Sequence, residues 1–275
     1  KVIGVDVQEI VVNQINTGIE PFPGEKDLDE FLKECVNNGS LAASLDKESS
    51  ISRAEAIVVC IPLIIDLKGE PDFGNIDELA KDIGSNISLG ALICFETTLP
   101  VGTTRNRFTV AVEAASGLTV GKDFYVVFSP ERVLTGRVFQ DLKRYPKLVG
   151  GVTEECTKHG VAFYSEFLEF DQRHDLSRPN GVWAMKNAEA AEFAKVAETT
   201  YRDVNIGLAN EFAVYAASVD VDILEVIEAS NSQPYSHIHS PVHLCTSASH
   251  LHLCTSAPLH LSYTLSALLH FCISS

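Results

Sequence analysis

Short apolar runs alternate with longer amphipathic stretches over residues 1–185 of the chain. Each run has four to eight residues and is rich in β-branched side chains, which is typical of strands buried on both faces of a parallel sheet. The runs predict strands at Val2–Val7, Ala56–Ile61, Leu89–Phe95, Phe124–Phe128 and Leu148–Val152.

The stretches between the runs have the spacing of amphipathic helices. They predict helices at Leu28–Asn37, Ile76–Ile83, Thr104–Ala115 and Thr153–Phe167, the last with Thr153 as its capping residue. Strand alternating with helix indicates a doubly wound α/β domain with a parallel sheet.

A different pattern follows this domain. Residues from Asn187 to Ser218 predict one long helix, and Asp222–Ala229 predicts a short one. The long helix is either a spine between domains or subunits, or a core helix of one domain. We therefore predict an α/β domain over residues 1–185, the start of an all-α central segment over 186–235, and an irregular tail over 236–275.

The charged residues are confined to the first part of the chain. Lys and Arg number 21 and Asp and Glu number 37, for a formal net charge of −16, and none follows Glu228. This acidic balance argues against a nucleic-acid or anionic-membrane partner, because both require a basic face. No apolar run before the tail is long enough to span a membrane, and the scattered cysteines are typical of free thiols. We therefore expect a cytoplasmic protein.

The tail contains a repeat of His-Leu-Cys-Thr-Ser-Ala, first at His243–Ala248 and again at His252–Ala257. Its histidines and cysteines are possible metal ligands. A shifted reading frame or read-through of non-coding sequence produces such charge-free, low-complexity sequence more readily. We therefore predict no metal site.

Polar residues follow three of the predicted strands, where ligands of open α/β sheets bind. Asp6 ends the first run, and an acid at this point of a dinucleotide-binding fold hydrogen-bonds a ribose; the alternative is a solvated strand-end acid. Glu96-Thr-Thr-Leu-Pro-Val-Gly-Thr-Thr104 indicates a strand end, a turn and a helix capped by Thr. Ser129-Pro-Glu-Arg132 carries a carboxylate that is either a general base or the salt-bridge partner of Arg132.

Three polar residues of the long predicted helix share one face. Lys195, Thr199 and Arg202 have i, i+4, i+7 spacing. On a partly buried face the two cations require an anionic partner, either structural or a substrate. The alternative is a solvated stripe in which Glu192 pairs with Lys195, and Glu198 pairs with Arg202.

In this order and spacing, these segments resemble the UDP-glucose/GDP-mannose dehydrogenase family. Glu96–Thr104 is similar to the family's E-S-T-L-P-V-G-T-T, and Ser129–Gly136 is similar to its S-P-E-R-V-L-P-G. Ala191–Glu211 resembles its helical spine. Asp222–Ala229, followed by Ile238–Pro241, resembles the subgroup that oxidises UDP-N-acetylhexosamines such as UDP-N-acetylmannosamine. A β-hydroxyacid dehydrogenase shares the plan of a sheet followed by a spine, but the first two motifs disfavour it.

The resemblance implies a Rossmann-type fold, NAD as the cofactor, a UDP-sugar as the substrate, and a homodimer formed through the central helix. In the family, the sugar C6 alcohol passes two hydrides in turn to two NAD molecules, and a cysteine thioester is then hydrolysed to a uronic acid. The implied cofactor contacts are Asp6, Pro62, Thr98 and Glu131; the implied catalytic residues are Thr98, Glu131, Lys195 and Thr199; and the implied substrate contacts are Arg132, Lys195, Arg202 and Asn205.

The resemblance also implies individual roles. Asp6 holds the NAD ribose, and Thr98 lies beside the nicotinamide. Glu131 assists thioester hydrolysis, and Lys195 steadies the developing oxyanion. Arg202 and Asn205 correspond to substrate and dimer-contact positions.

The sequence departs from the family pattern at several points. No Gly-rich loop precedes Asp6, so the first strand, loop and helix of the fold are missing, and Thr199 stands where the family has Asn. The G-G-H-C segment with the nucleophilic cysteine does not follow Pro241, Cys245 lacks neighbouring glycines, and a third, UDP-binding domain is absent. We expect the isolated chain to be inactive. The alternatives are a non-catalytic remnant that acts as a dimerisation or binding module, and a fragment of an active UDP-sugar dehydrogenase.

Overall fold

The computed structural model describes residues 1–235 and 237–239, which form two compact units. The first unit comprises Lys1–Phe193, and the second begins at Ala194. The strands are β1 (Val2–Val5), β2 (Leu41–Ser44), β3 (Ala56–Val59), β4 (Ile64–Ile65), β5 (Pro71–Asp72), β6 (Leu92–Phe95), β7 (Tyr125–Phe128), β8 (Lys147–Gly151) and β9 (Val182–Ala184).

Helices cover the strands and continue into the second unit. They are α1 (Glu9–Asn16), α2 (Leu28–Asn37), α3 (Lys47–Ser52), α4 (Gly74–Asn86), α5 (Val110–Ser116), α6 (Val138–Arg144), α7 (Glu154–Phe167), α8 (Ala188–Ser218) and α9 (Ile223–Asn231). A π-helical segment, Thr104–Thr109, leads directly into α5. None of the helices described is both long and apolar enough to cross a membrane.

The main sheet has five strands in the order β3-β6-β7-β8-β9. Strands β3, β6 and β7 are mutually parallel, whereas β8 is antiparallel to β7 and parallel to β9. Because β8 runs in the opposite direction, its first residue, Lys147, lies at the edge where β6 and β7 end.

A second parallel pair, β1 and β2, is separate from the main sheet. In the usual doubly wound order, the second and third strands of the fold lie on one side of the first strand, and the fourth lies on the other. By chain order, β1, β2 and β3 correspond to the second, third and fourth strands of that fold. The first strand would lie between β1 and β3, and the described residues supply no strand there. The predicted doubly wound α/β fold followed by a long helix is confirmed, except that the sheet is not wholly parallel, because β8 is antiparallel to β7. Apart from residues 237–239, the predicted tail lies outside the described residues.

Several predicted elements have the expected bounds or caps. Helix α2 begins and ends where the sequence predicts, and Thr153 caps α7 because its hydroxyl oxygen accepts the amide of Cys156 at 3.1 Å. The predicted capping Thr before α5 is wrong, since neither Thr103 nor Thr104 caps with its side chain.

Two apolar cores stabilise the first unit. The larger core lies between the main sheet and its helices and includes the fully buried rings of Phe95, Phe108, Phe124 and Phe128. The smaller core joins the β1–β2 pair to α1 and α2 through Val11, Val12, Ile15, Leu28 and Leu32, among others. Burying each large side chain contributes about 1.5–3 kcal/mol, which fixes the strand ends that carry the candidate site.

Candidate active site at the carboxyl edge of the sheet

Three of the predicted site residues lie along one edge of the main sheet. Pro62 follows β3, Thr98 follows β6 and Glu131 follows β7. Because these strands are parallel neighbours, their carboxyl ends meet at the same edge, which is where open α/β sheets bind ligands. Pro62 is exposed and Thr98 is half-buried.

Hydrogen bonds tie the loops at this edge together. The hydroxyl of Thr97 donates to the carbonyl of Ile61 at 2.5 Å, which links the ends of β6 and β3. The amide of Glu131 donates to the carbonyl of Glu96 at 3.3 Å, which links the ends of β7 and β6. The three loops therefore form one connected surface.

Asp6 directly follows β1, in the separate strand pair, and is half-buried. Its Oδ1 accepts the amide of Gln8 at 2.8 Å, which turns the chain into α1. The residue thus combines a turn-forming oxygen with a carboxylate at a strand end, and both features fit a ribose-binding acid.

A buried ionic cluster, which sequence reasoning missed, lies directly beneath the edge. It consists of Glu96, Lys147 and Tyr164. Glu96 Oε1 accepts from Lys147 Nζ at 2.9 Å and from the Tyr164 hydroxyl at 2.5 Å. The Lys147 ammonium also lies 4.9 Å from the centre of the Tyr164 ring. One signal in the sequence was available, a lysine that opens an apolar run, because a strand buried on both faces has no solvent for a charge.

Opposing effects set the charge state of this cluster. Burial disfavours the Lys147 ammonium, but the carboxylates of Glu96 and Glu131 outweigh it and raise the pKa of Lys147 above its ordinary value. Burial raises the pKa of Glu96, while Lys147 opposes that shift. Burial also raises the pKa of Tyr164, which therefore keeps its proton and donates it to Glu96.

Glu131 folds back on its own turn. Its Oε1 accepts the amides of Arg132 at 2.6 Å and Val133 at 3.0 Å, and its Oε2 lies 3.6 Å from Lys147 Nζ. The Arg132 guanidinium donates to the carbonyl of Pro146 at 3.3 Å. Glu131 thus has a lysine counter-ion that the sequence did not reveal.

Glu192, at the start of α8, is fully buried against the loop that follows Thr98. Its Oε2 accepts the amide of Gly102 at 2.5 Å, and its Oε1 accepts the amide and the hydroxyl of Thr104 at 2.8 and 2.7 Å. Burial raises the pKa of Glu192, and the hydrogen bonds from Thr104 and Gly102 oppose this. The carboxylate considered as a partner for Lys195 therefore caps the π-helical segment.

The remaining predicted residues lie on α8 in the second unit and are described within that unit alone: Lys195, Thr199, Arg202 and Asn205. The Thr199 hydroxyl donates to the carbonyls of Lys195 and Val196 at 2.9 and 3.0 Å, within its own helix. Arg202 Nε lies 3.7 Å from Asp203 Oδ1 in a pair that is more than half exposed.

Two asparagines form hydrogen bonds with the main chain of the segment His237–His239. The amide nitrogen of Asn205 donates to the His237 carbonyl at 2.9 Å, and its oxygen accepts the His239 amide at 3.1 Å. Asn231 makes the same pair of bonds to the backbone of Ile238, both at 2.8 Å. Both polar atoms of the Asn205 side-chain amide therefore form hydrogen bonds with the main chain.

No group of three or more potential metal ligands occurs among residues 1–235 and 237–239. The predicted absence of a metal site is not tested by this, because the His- and Cys-rich repeat, including Cys245, lies outside the residues described.

Comparison with known proteins identifies the family of the chain. The model of the UDP-glucose/GDP-mannose dehydrogenase family, NAD binding domain, matches residues 1–168, and the central-domain model of the same family matches residues 189–244. The chain is 34% identical over 242 residues to the UDP-N-acetyl-D-mannosamine dehydrogenase of Pyrococcus horikoshii, and 32% identical over 247 residues to that of Escherichia coli K12. These alignments cover 87% and 88% of the chain, but only 54% and 55% of the relatives.

The fold is similar to that of a solved member. The structure of the UDP-D-ManNAc dehydrogenase from Pyrococcus horikoshii superposes with a TM-score of 0.78 at 32% identity, over 87% of this chain and 54% of that one. The chain thus spans about half the length of the curated relatives it matches. The two consecutive family-model matches and the shared fold establish that the chain belongs to the UDP-glucose/GDP-mannose dehydrogenase family, whose cofactor is NAD.

Proposed function

We propose that the chain carries the catalytic edge of an enzyme that oxidises the C6 alcohol of a UDP-N-acetylhexosamine, UDP-N-acetylmannosamine or UDP-N-acetylglucosamine, to the uronic acid. The alignment of Pro62, Thr98 and Glu131 along one edge of a parallel sheet carries this proposal. The names of the aligned relatives support the mannosamine form. We keep residues 1–185 as the NAD-binding domain and residues 186–235 as the start of the central domain.

NAD, when bound, accepts the hydride. Asp6 holds the adenosine ribose through its strand-end carboxylate, and Pro62 and Thr98 border the cofactor. Glu131, held by two amides of its own turn, assists hydrolysis of the thioester as a proton acceptor. Arg132 offers a cation to the UDP-sugar at the same edge.

The residues of α8 keep, within the second unit, the roles that the family resemblance implies. Lys195 stabilises the developing oxyanion, and Arg202 contacts the substrate. Thr199 acts as a weaker donor than the family's Asn, because its hydroxyl already donates within the helix. Asn205 contributes to the proposed function indirectly, because its side chain holds the segment His237–His239 through two hydrogen bonds.

The same helix provides a surface for a second copy of the chain, and we propose a homodimer. Five large apolar side chains are 38–69% exposed and lie within about 80° of arc on α8, given 100° per residue: Tyr201, Val204, Leu208, Phe212 and Tyr215. Exposed apolar stripes of this length mark protein interfaces. This stripe also favours the second candidate function, a dimerisation module without catalytic activity.

A change of oligomeric state tests the dimer. Leu208→Asp should convert a dimer into a monomer in sedimentation or light-scattering measurements. Asp203→Lys, about 140° around the helix from the centre of the stripe, should leave the mass unchanged. A monomeric wild-type chain, or a dimer unaffected by Leu208→Asp, would refute it.

We further propose that the 275-residue polypeptide alone does not sustain turnover, because its sequence contains no G-G-H-C segment with a nucleophilic cysteine. A cytoplasmic location is supported by three buried thiols among the residues described, Cys35, Cys94 and Cys156, which form no disulfide.

Calorimetry with NAD and an NADH absorbance assay with each UDP-sugar test the function together. Saturable NAD binding without repeated NADH formation supports the proposal as stated. Repeated NADH formation would support the dehydrogenase and overturn the expected inactivity. Self-association with no ligand binding would favour the dimerisation module.

A further inference from the structure

We propose that Lys147 is a positioning residue for Glu131: its ammonium group, anchored on Glu96 and Tyr164, fixes the Glu131 carboxylate at the carboxyl edge of the sheet. This inference rests on the proposed function, in which Glu131 assists hydrolysis. The geometry itself, however, is independent of any ligand.

The burial of Lys147 is the first support. The residue is 7% exposed at the start of β8, a position where no solvent compensates a charge. A lysine needed only for packing would be replaced at lower cost by an apolar residue, because a buried ion pair is weak evidence for stability. Its charge is therefore best explained by the carboxylates it faces.

The anchoring of the ammonium is the second support. Lys147 Nζ is 2.9 Å from Glu96 Oε1, which also accepts the Tyr164 hydroxyl at 2.5 Å. Glu96 lies at the end of β6, Tyr164 on α7 and Lys147 on β8, so three different parts of the fold hold the ammonium in place. A cation held in this way provides a rigid reference for a neighbouring group.

The third support is that the two carboxylate oxygens of Glu131 have different partners. Its Oε1 is held by the amides of Arg132 and Val133, and its Oε2 faces Lys147 at 3.6 Å. The Lys147–Glu96 contact is shorter, at 2.9 Å, so Glu96 supplies the main counter-charge of the lysine. Glu131 is thereby oriented by Lys147.

Hydrogen exchange at single amides, measured by NMR on the full chain without ligand, tests the inference. The reporters are the amides of Arg132 and Val133, which donate to Glu131 Oε1. The double variant Lys147→Met/Glu96→Gln removes the cation and neutralises its fully buried partner, so that Glu96 is not left as an unpaired carboxylate. We expect it to accelerate both reporters by about tenfold, while the amides of β6 stay within about twofold of wild type.

Three further variants calibrate the result. Glu131→Ala sets the exchange rate of the reporters without their acceptor. Lys147→Arg keeps a cation and should restore slow exchange. Lys143→Met removes a lysine of α6 from an exposed pair with Glu169, 3.3 Å apart, and should leave the reporters unchanged.

Two outcomes would overturn the inference. Unchanged reporters in the double variant would mean that the turn holds Glu131 by itself. Equal acceleration of the reporters and the β6 amides would mean that Lys147 only stabilises the fold. Since no ligand is present, either outcome is separate from a failure of the chain to bind NAD.

Discussion

The carboxylate of Glu192, in the first turns of α8, accepts both the backbone amide and the hydroxyl of Thr104, at 2.8 and 2.7 Å. These bonds, together with one from the amide of Gly102, satisfy donors at the start of the π-helical segment. They tie the long helix to the loop that begins at Thr98, so the position of this loop depends on a residue outside its own motif.

Glu192→Gln should therefore destabilise the first unit by about 1–3 kcal/mol, because the amide group cannot accept from both Gly102 and Thr104 and leaves one buried donor unpaired. Urea denaturation measures the change. Glu78→Gln, at an exposed position on α4, is the control and should stay within about 0.5 kcal/mol of wild type. Equal stability of the two variants would contradict the capping role.

The motifs with fixed spacing were readable from the sequence because each combines a strand end with a turn. Pro62, Thr98 and Glu131 follow apolar runs, and parallel strands bring such ends to one edge. Glu96 was visible as part of a motif, but its partners Lys147 and Tyr164 were not. They come from β8 and α7, and only the antiparallel direction of β8 brings Lys147 to this edge.

Two of the elements that sequence reasoning missed, α1 and β2, have compositions that disfavour their structure. Helix α1 is rich in Ile and Val, which have low helix propensity, and it forms because Val11, Val12 and Ile15 bury one face. Strand β2, Leu-Ala-Ala-Ser, has no β-branched residue and forms by pairing with β1. Tertiary packing decides both elements.

The pair Arg105–Glu189 should give the first unit a measurable acid dependence. Two guanidinium nitrogens donate to the two oxygens of Glu189, at 2.5 and 3.2 Å, and these hydrogen bonds lower the pKa of Glu189 below its ordinary 4.5. A depressed carboxyl pKa contributes stability above the unfolded value and loses it as the pH falls through the folded value.

Glu189→Gln should accordingly cost about 1 kcal/mol at neutral pH, since the pair is partly exposed. The difference from wild type should stay constant down to about pH 5 and shrink at lower pH. Denaturant titrations at several pH values measure it. A difference that persists unchanged well below pH 4.5 would show that the charge of Glu189 is not the cause.

Gly150 permits a close approach between β8 and the residue before α8. A Cβ at this position would overlap the backbone carbonyl of Asn187, lying 2.7 Å from its carbon atom. Gly150→Ala should destabilise the first unit by about 2–3 kcal/mol, because backbone rather than a flexible side chain has to move.

Gly207 is the matched contrast. It lies within α8, and a Cβ added there would have no neighbour within 4 Å among the residues described, apart from the backbone of its own helix. Gly207→Ala should therefore stabilise the helix by about 0.5–1 kcal/mol. Chemical denaturation of both variants checks the pair. A harmless Gly150→Ala would refute the close packing at Asn187.

The thiol of Cys94 should be unreactive in the folded chain. It is fully buried in β6, and burial raises its pKa to about 12, with Tyr164 opposing and Glu96 adding to the shift. Because the thiolate is the nucleophile, we expect alkylation of Cys94 at pH 8 to be at least about 100-fold slower than that of half-buried Cys60. Peptide mass spectrometry after timed iodoacetamide treatment resolves the sites.

Two controls accompany the expected order of alkylation rates. Buried Cys35 and Cys156 should also react slowly in the folded chain, and all sites should react at similar rates after unfolding. Rapid labelling of Cys94 in the native chain would show that β6 opens to solvent, which the packing of the main sheet does not allow.

The most direct test of the proposed cofactor site is NAD binding by the wild-type chain and by Asp6→Asn, measured by calorimetry. The asparagine keeps the oxygen that accepts the Gln8 amide but loses the negative charge. Asp72→Asn is the control, because Asp72 also ends a strand and accepts an amide, that of Gly74 at 2.9 Å. We expect saturable binding that Asp6→Asn weakens by about tenfold, or about 1.4 kcal/mol, and that Asp72→Asn leaves unchanged. No NAD binding by the wild type, or equal binding by Asp6→Asn, would contradict the assignment of the strand end at Asp6 to the cofactor.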